Sequence, residues 1–197
     1  MKNVSEIFSA PIQQAAYSYD GYMSLMEKVV EENKTTGPKQ TDELSYYTKL
    51  NLARMQRLNK KTIILDELKA ILSQIEIPQT WYILTEAWCG DAAQNIPVIH
   101  TAALLNPNIQ VKLLLRDENP TVMDEYLTNG GRSIPKLIAV DKELNELFTW
   151  GPRPEGANAL MLEYKANPGK PLKEFVEDIQ RWYIADKSES VQRELTE

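Results

Sequence analysis

One nucleophilic thiol stands in the chain, Cys89, within Ile83-Leu84-Thr85-Glu86-Ala87-Trp88-Cys89-Gly90-Asp91-Ala92. The apolar, β-prone start of this stretch reads as a strand. The residues after it read as a tight turn that leaves the thiol where a helix begins. A helix N-terminus favours the thiolate, because free N–H groups and the dipole there contribute about 0.3–1 kcal/mol. Asp91 opposes this. A carboxylate about 6 Å away, at an effective dielectric of about 20–80, costs the thiolate about 0.7–3 kcal/mol. The two effects are comparable, so the sequence predicts a thiol near its ordinary pKa. With no second cysteine the chain has no internal disulfide, and a mixed disulfide on Cys89 needs an outside thiol to release it. The single histidine, His100, follows Cys89 by eleven residues on the same expected helix. That is about 16 Å along the axis, which excludes a Cys–His dyad within the element and leaves a surface or packing role. No His/Cys cluster has metal-ligand spacing, so neither a metal site nor a resident cofactor is expected. Glu86 reads as a turn residue and Asp91 as helix-start charge.

Regular elements must hold that turn in place. From Gln79 the pattern predicts strands over Trp81–Thr85, Ile109–Leu115, Pro135–Val140 and Glu146–Trp150, the last two joined by the polar turn Asp141-Lys142-Glu143. Helices are expected from Cys89 to about Leu105 and from Pro120 through Leu127, ended by Asn129-Gly130-Gly131. Two more are expected around Ala157–Lys165 and from Pro171, with Leu172, Phe175, Ile179 and Trp182 as the apolar stripe of the last. The order is β-α-β-α-β-β-α. The first two strands should be parallel through a right-handed crossover, and the last two should form a hairpin. Upstream, a helical stripe runs over 11–35 and stops at Thr35-Thr36-Gly37-Pro38. A second helix is expected from Thr41, as cap, to about Asn59, and a third over Thr62–Ile75. Residues 186–197 are charged and are expected to fray.

Composition narrows the function. Lys and Arg number 22 against 28 Asp and Glu, a net charge of −6, which argues against nucleic acid as a partner. No apolar run reaches the length of a membrane span, and the polar start lacks the apolar core of a signal peptide. A lone cysteine suits a reducing, cytoplasmic setting.

Four landmarks carry a resemblance. They are Trp88-Cys89-Gly90; Pro97, eight residues after Cys89; Arg132-Ser133-Ile134-Pro135; and Gly151, sixteen residues after Pro135. Together with the element order, residues 79–185 resemble the thioredoxin family. The resemblance implies an α/β thioredoxin fold, a central mixed β-sheet flanked by helices, with a helical N-terminal extension. On this reading, residues 1–77 pack on the core as the extension, 78–186 form the thioredoxin-like domain, and 187–197 are a charged tail. It implies a cis peptide before Pro135 and Cys89 as the catalytic residue. It also implies substrate contacts from Trp88, Gly90, Asp91, Ile134, Pro135, Arg132 and Arg153, with Arg116 on the same edge. Two departures change the chemistry: Ala92 stands where the family has its resolving cysteine, and Ile83 where many members have a buried aspartate. A dithiol disulfide reductase is therefore excluded. Two readings follow. In the first, Cys89 performs monothiol exchange with a protein or peptide thiol or disulfide, and glutathione or another small thiol acts as co-substrate. In the second, the chain is a redox-inactive binding module that holds a protein or peptide partner. Neither reading specifies an oligomeric state.

Overall fold

A computed structural model describes all 197 residues. Its sheet is built from β1 (Gln79–Thr85), β2 (Ile109–Leu115), β3 (Lys136–Asp141) and β4 (Glu146–Trp150), in the order β2-β1-β3-β4. β1 runs parallel to β2, with Ile83 opposite Leu113, and antiparallel to β3, with Ile83 opposite Leu137. β3 and β4 form the expected hairpin. β1 is apolar because both its faces are covered. Phe8 stacks on Tyr82 at 4.5 Å, while the Tyr22 hydroxyl meets that of Thr85, three residues on and so on the opposite face. Helix α5 (Gly90–Ala103) starts directly after the Cys89 turn, carries Pro97 inside it and connects β1 to β2. Helix α6 (Pro120–Glu125) leads from β2 toward β3 and has proline at its first turn.

The N-terminal region supplies α1 (Ala10–Ala15), α2 (Tyr19–Glu31), α3 (Asp42–Lys61) and α4 (Asp66–Leu72). Val4, Phe8, Tyr22, Met26, Met55 and Leu68 join the same buried cluster as the strands, so these helices share the sheet's core. The single helix expected over 11–35 is instead broken at 16–18. There Tyr17 and Leu113 exchange two backbone hydrogen bonds, of 2.8 and 2.9 Å, which pair the otherwise open edge of β2. Ser18 then caps α2 by accepting from the Gly21 N–H at 3.1 Å. The third expected helix contracts to Asp66–Leu72.

The chain closes with α7 (Glu155–Ala166), α8 (Leu172–Asp186) and α9 (Glu189–Glu194). α7 and α8 pair through Ala157, Phe175, Ile179 and Tyr183, with Tyr164 stacked on Phe175 at 4.1 Å. Tyr183, four residues after Ile179, takes the inward position expected of Trp182, which lies half-buried against Gly156, and Leu172 is left exposed. The expectation of a frayed, charged tail over 187–197 is corrected, because α9 is docked. Val191 and Gln192 are buried, and the Gln192 Oε1 accepts from the Leu65 N–H at 2.8 Å. Glu194 accepts from Trp150 Nε1 at 2.7 Å and from the Glu155 N–H at 2.6 Å. Two buried groups and these bonds outweigh the segment's polar composition.

No helix is long and apolar enough to cross a membrane.

Candidate functional site

Cys89 is the N-cap of α5, with extended backbone angles of φ −79° and ψ 113°. Its Sγ accepts from the Ala92 N–H at 3.5 Å and donates to the Ile134 carbonyl at 3.3 Å. The side chain is 7 % exposed, and burial pushes the thiol pKa up to about 12. The Asp91 carboxylate adds to that rise, while the Ala92 N–H and Arg153 act against it. The sequence weighed the helix start against Asp91 and expected near cancellation. Desolvation, invisible along the chain, decides the balance for the neutral thiol.

Asp91 itself turns inward. Its Oδ2 pairs with an Arg153 Nη2 at 2.6 Å, and its Oδ1 accepts from the Tyr183 hydroxyl at 2.9 Å. Asn95 donates to the same hydroxyl at 3.1 Å. Burial lifts the Asp91 carboxyl above its ordinary value, against the pull of Arg153 and Tyr183. Asp91 thus ties the start of α5 to α8 and to the loop after β4. Arg153 Nε is buried without an acceptor, so its guanidinium is only partly satisfied.

The turn preceding Cys89 is clamped by the N-terminal region. Glu86 is 1 % exposed; it accepts from the Thr36 hydroxyl and from the Asp117 N–H at 2.9 Å. Thr36 Oγ1 in turn accepts from the Ala87 N–H at 2.8 Å, and Asn51 Nδ2 of α3 donates to the Ala87 carbonyl at 2.9 Å. Glu86 therefore does more than the turn-residue role read from sequence: it binds the turn to two other segments. Burial raises its carboxyl pKa, against these two donors.

These parts surround a cleft of about 480 Å³. Cys89, Trp88, Gly90, Asp91, Ile134, Arg132, Arg153 and Arg116 all line it. Pro135 lies buried behind them, and both the Ile134–Pro135 and Gly151–Pro152 bonds are cis. The arginines do not act as one group. Arg116 lies 4.9 Å from the Trp88 ring centroid and pairs with Asp117 at 2.8 Å. Arg132 makes a two-pronged pair with Asp124, both bonds at 2.7 Å, on the exposed rim. Arg153 is held by Asp91. The far wall was missed by sequence reasoning: Leu44, Tyr47 and Arg54 from α3 and Phe175, Val176 and Gln180 from α8. Their helical stripes were read as core-facing, and nothing in the local pattern marks which of those residues stop short of the core. His100 stacks on Tyr19 at 3.8 Å, away from the thiol. No group of His, Cys, Asp and Glu has the arrangement of a metal site.

Comparison with known proteins gives one family and two structural likenesses. The family model Thioredoxin_9, described as thioredoxin, matches residues 37–167, so the match takes in α3 and α4 as well as the sheet. A crystal structure of a protein of unknown function from Pseudomonas aeruginosa is similar at 16% identity. Its TM-score is 0.61, over 100% of this chain and 96% of that one. An HIV epitope-scaffold is similar at 18% identity with a TM-score of 0.55, over 91% of this chain and 96% of that one. At these identities the two structures speak for the fold alone, and the first likeness takes in the helical N-terminus as well. No curated protein matches.

Proposed function

The chain belongs to the thioredoxin family, and from that premise we propose that it works as a binding module. Its cleft holds an extended protein or peptide segment against Ile134-Pro135, and Cys89 stays protonated beneath it. The observation that carries this reading is the state of Cys89. The thiol is buried, donates to Ile134 and faces a carboxylate, three conditions that favour S–H over S⁻. The Ile134 N–H has no acceptor within the chain. It is therefore free to pair with an incoming backbone, as in strand addition, and the apolar walls can take alternate side chains. The fold supplies the shape of the site, and its residues supply binding rather than electron transfer.

A peptide library displayed against the intact protein tests this. Selected sequences should quench or shift the fluorescence of Trp88 and should bind the wild type and Cys89→Ser alike. Binding that disappears in Cys89→Ser would sink the reading.

A second reading, monothiol exchange, is favoured by the presence of Cys89 on the cleft lining. It requires a thiolate at Cys89 and glutathione or another small thiol for release. Its signature is one adduct with oxidised glutathione at Cys89, reversed by reduced thiol. The binding reading expects that adduct to form no faster than on an ordinary buried cysteine.

A further inference from the structure

The cleft contains a cation without a carboxylate partner and an amide nitrogen without an acceptor, both beside Gly90. Arg54 of α3 is half-buried, and its one protein partner is the Asn51 Oδ1, reached by Nη1 at 2.7 Å. No carboxylate pairs with it, in contrast to Arg116, Arg132 and Arg153 in the same cleft. Gln180 of α8 accepts from Gln94 at 2.8 Å through Oε1, which turns its Nε2 amide group toward the open space. The two donors converge. A methyl group built on Gly90 would meet Gln180 Nε2 at 3.0 Å and Arg54 Nη1 at 3.8 Å. Gly90, next to Cys89, thus lets the Gln180 amide and the Arg54 guanidinium close in on the start of α5, where both line the cleft.

We propose that Arg54 and Gln180 form a carboxylate-binding subsite over Gly90, which anchors the acid end of an amphipathic monocarboxylate whose apolar part lies on Leu44, Tyr47, Phe175 and Val176. This rests on the reading of the cleft as a binding site and names the chemistry it selects. A guanidinium that loses water without gaining an anion is costly, and burial together with the neighbouring Arg57 already disfavours the charge of Arg54. A bound carboxylate removes that cost. Its planar oxygens match a guanidinium edge, with the Gln180 amide donating to a remaining lone pair. Arg54 and Lys173 are the cleft's cations without a carboxylate partner, and the Glu43 and Asp91 carboxylates on the same lining offset part of that charge, which fits a monoanion better than a doubly charged phosphate. The source is either the C-terminus of a short peptide or a small organic acid.

NMR titration of the intact ¹⁵N-labelled protein, read at the Gly90 N–H and the Arg54 Nε–H, tests the subsite and separates these sources. The probes are N-acetyl-Ala-Leu-Ala as free acid, the same peptide as C-terminal amide, hexanoate and inorganic phosphate. The free acid should give saturable shifts with at least about tenfold tighter binding than the amide, as expected for a charge-assisted pair. Arg54→Gln should abolish that preference, Arg54→Lys should keep part of it, and Gln180→Leu should weaken it severalfold. Arg193→Gln on α9, outside the cleft, should leave it intact. Acid and amide binding equally well would remove the subsite while leaving the peptide cleft standing. Hexanoate binding without either peptide would keep the subsite and remove the peptide reading. Phosphate preferred over both acids, or no shift with any probe, would overturn the inference. If Arg54→Gln does not fold, the acid–amide comparison in the wild type and in Gln180→Leu decides.

Discussion

Asp91→Asn separates the two causes that keep Cys89 protonated. Burial is the larger and Asp91 the second, and together they place the thiol at about 12. A unit charge about 6 Å from the sulfur, at an effective dielectric of about 20, opposes the thiolate by about 2.8 kcal/mol, a factor of about 100 in thiolate population. Asparagine removes that repulsion. It also frees Arg153, now 2.6 Å from the carboxylate, to attract the thiolate instead. The desolvation share remains, because Cys89 stays under Ile134. At pH 8 the wild-type thiolate fraction is about 10⁻⁴. Alkylation by iodoacetamide, followed by intact-mass spectrometry, should therefore be slow in the wild type. It should rise about 100-fold in Asp91→Asn yet remain slower than in the unfolded chain. Circular dichroism and thermal melting must show the variant folded, since Arg153 and Tyr183 both lose a charged partner. An unchanged rate in a folded Asp91→Asn would show that Asp91 does not act on the thiol. A wild type that already reacts as fast as the unfolded chain would refute the account of burial as well.

Two further outcomes follow from the same geometry. The folded-state pKa of Cys89 is raised, so its contribution to stability is complete below the unfolded pKa and is lost as pH rises from about 9 toward about 12. Over that window the wild type should lose stability faster than Cys89→Ala by up to about 1.4 kcal/mol per pH unit in denaturant titrations; parallel pH profiles would contradict this. Gly151 has a φ of +108°, and a Cβ there would overlap the Pro135 carbonyl oxygen. Gly151→Ala should cost at least about 3 kcal/mol and disturb the Ile134 edge of the cleft, seen as a lowered Tm and shifted Ile134 amide signals.

Much of the frame was legible along the chain. The strands at 79–85, 109–115 and 146–150 follow from short β-prone runs bounded by turn residues, and their order dictates a mixed sheet with one parallel pair. Trp88-Cys89-Gly90, Pro97, Pro135 and Gly151 located the turn through the resemblance to the thioredoxin family that they carry. Errors gathered where distant partners override local pattern. The helical stripe over 11–35 breaks at Tyr17 because an open strand edge offers it two backbone bonds. The polar tail at 187–197 folds into α9 because Gln192 and Glu194 find acceptors and donors far away in sequence.

The site divides along the same line. Sequence alone determined that one thiol stands at a helix start with no internal resolving partner, because a count of one cysteine permits nothing else. It also placed Asp91 next to that thiol. Only the tertiary structure decided what these residues do. Burial, which depends on what packs above a residue, sets the thiol toward its neutral form. Tyr183 and Arg153, brought in from 92 and 62 positions away, turn Asp91 from a helix-start charge into a tie between segments. And Arg54 and Gln180, on helices far apart in the chain, meet over Gly90, since convergence of donors is a property of packing and has no local signature.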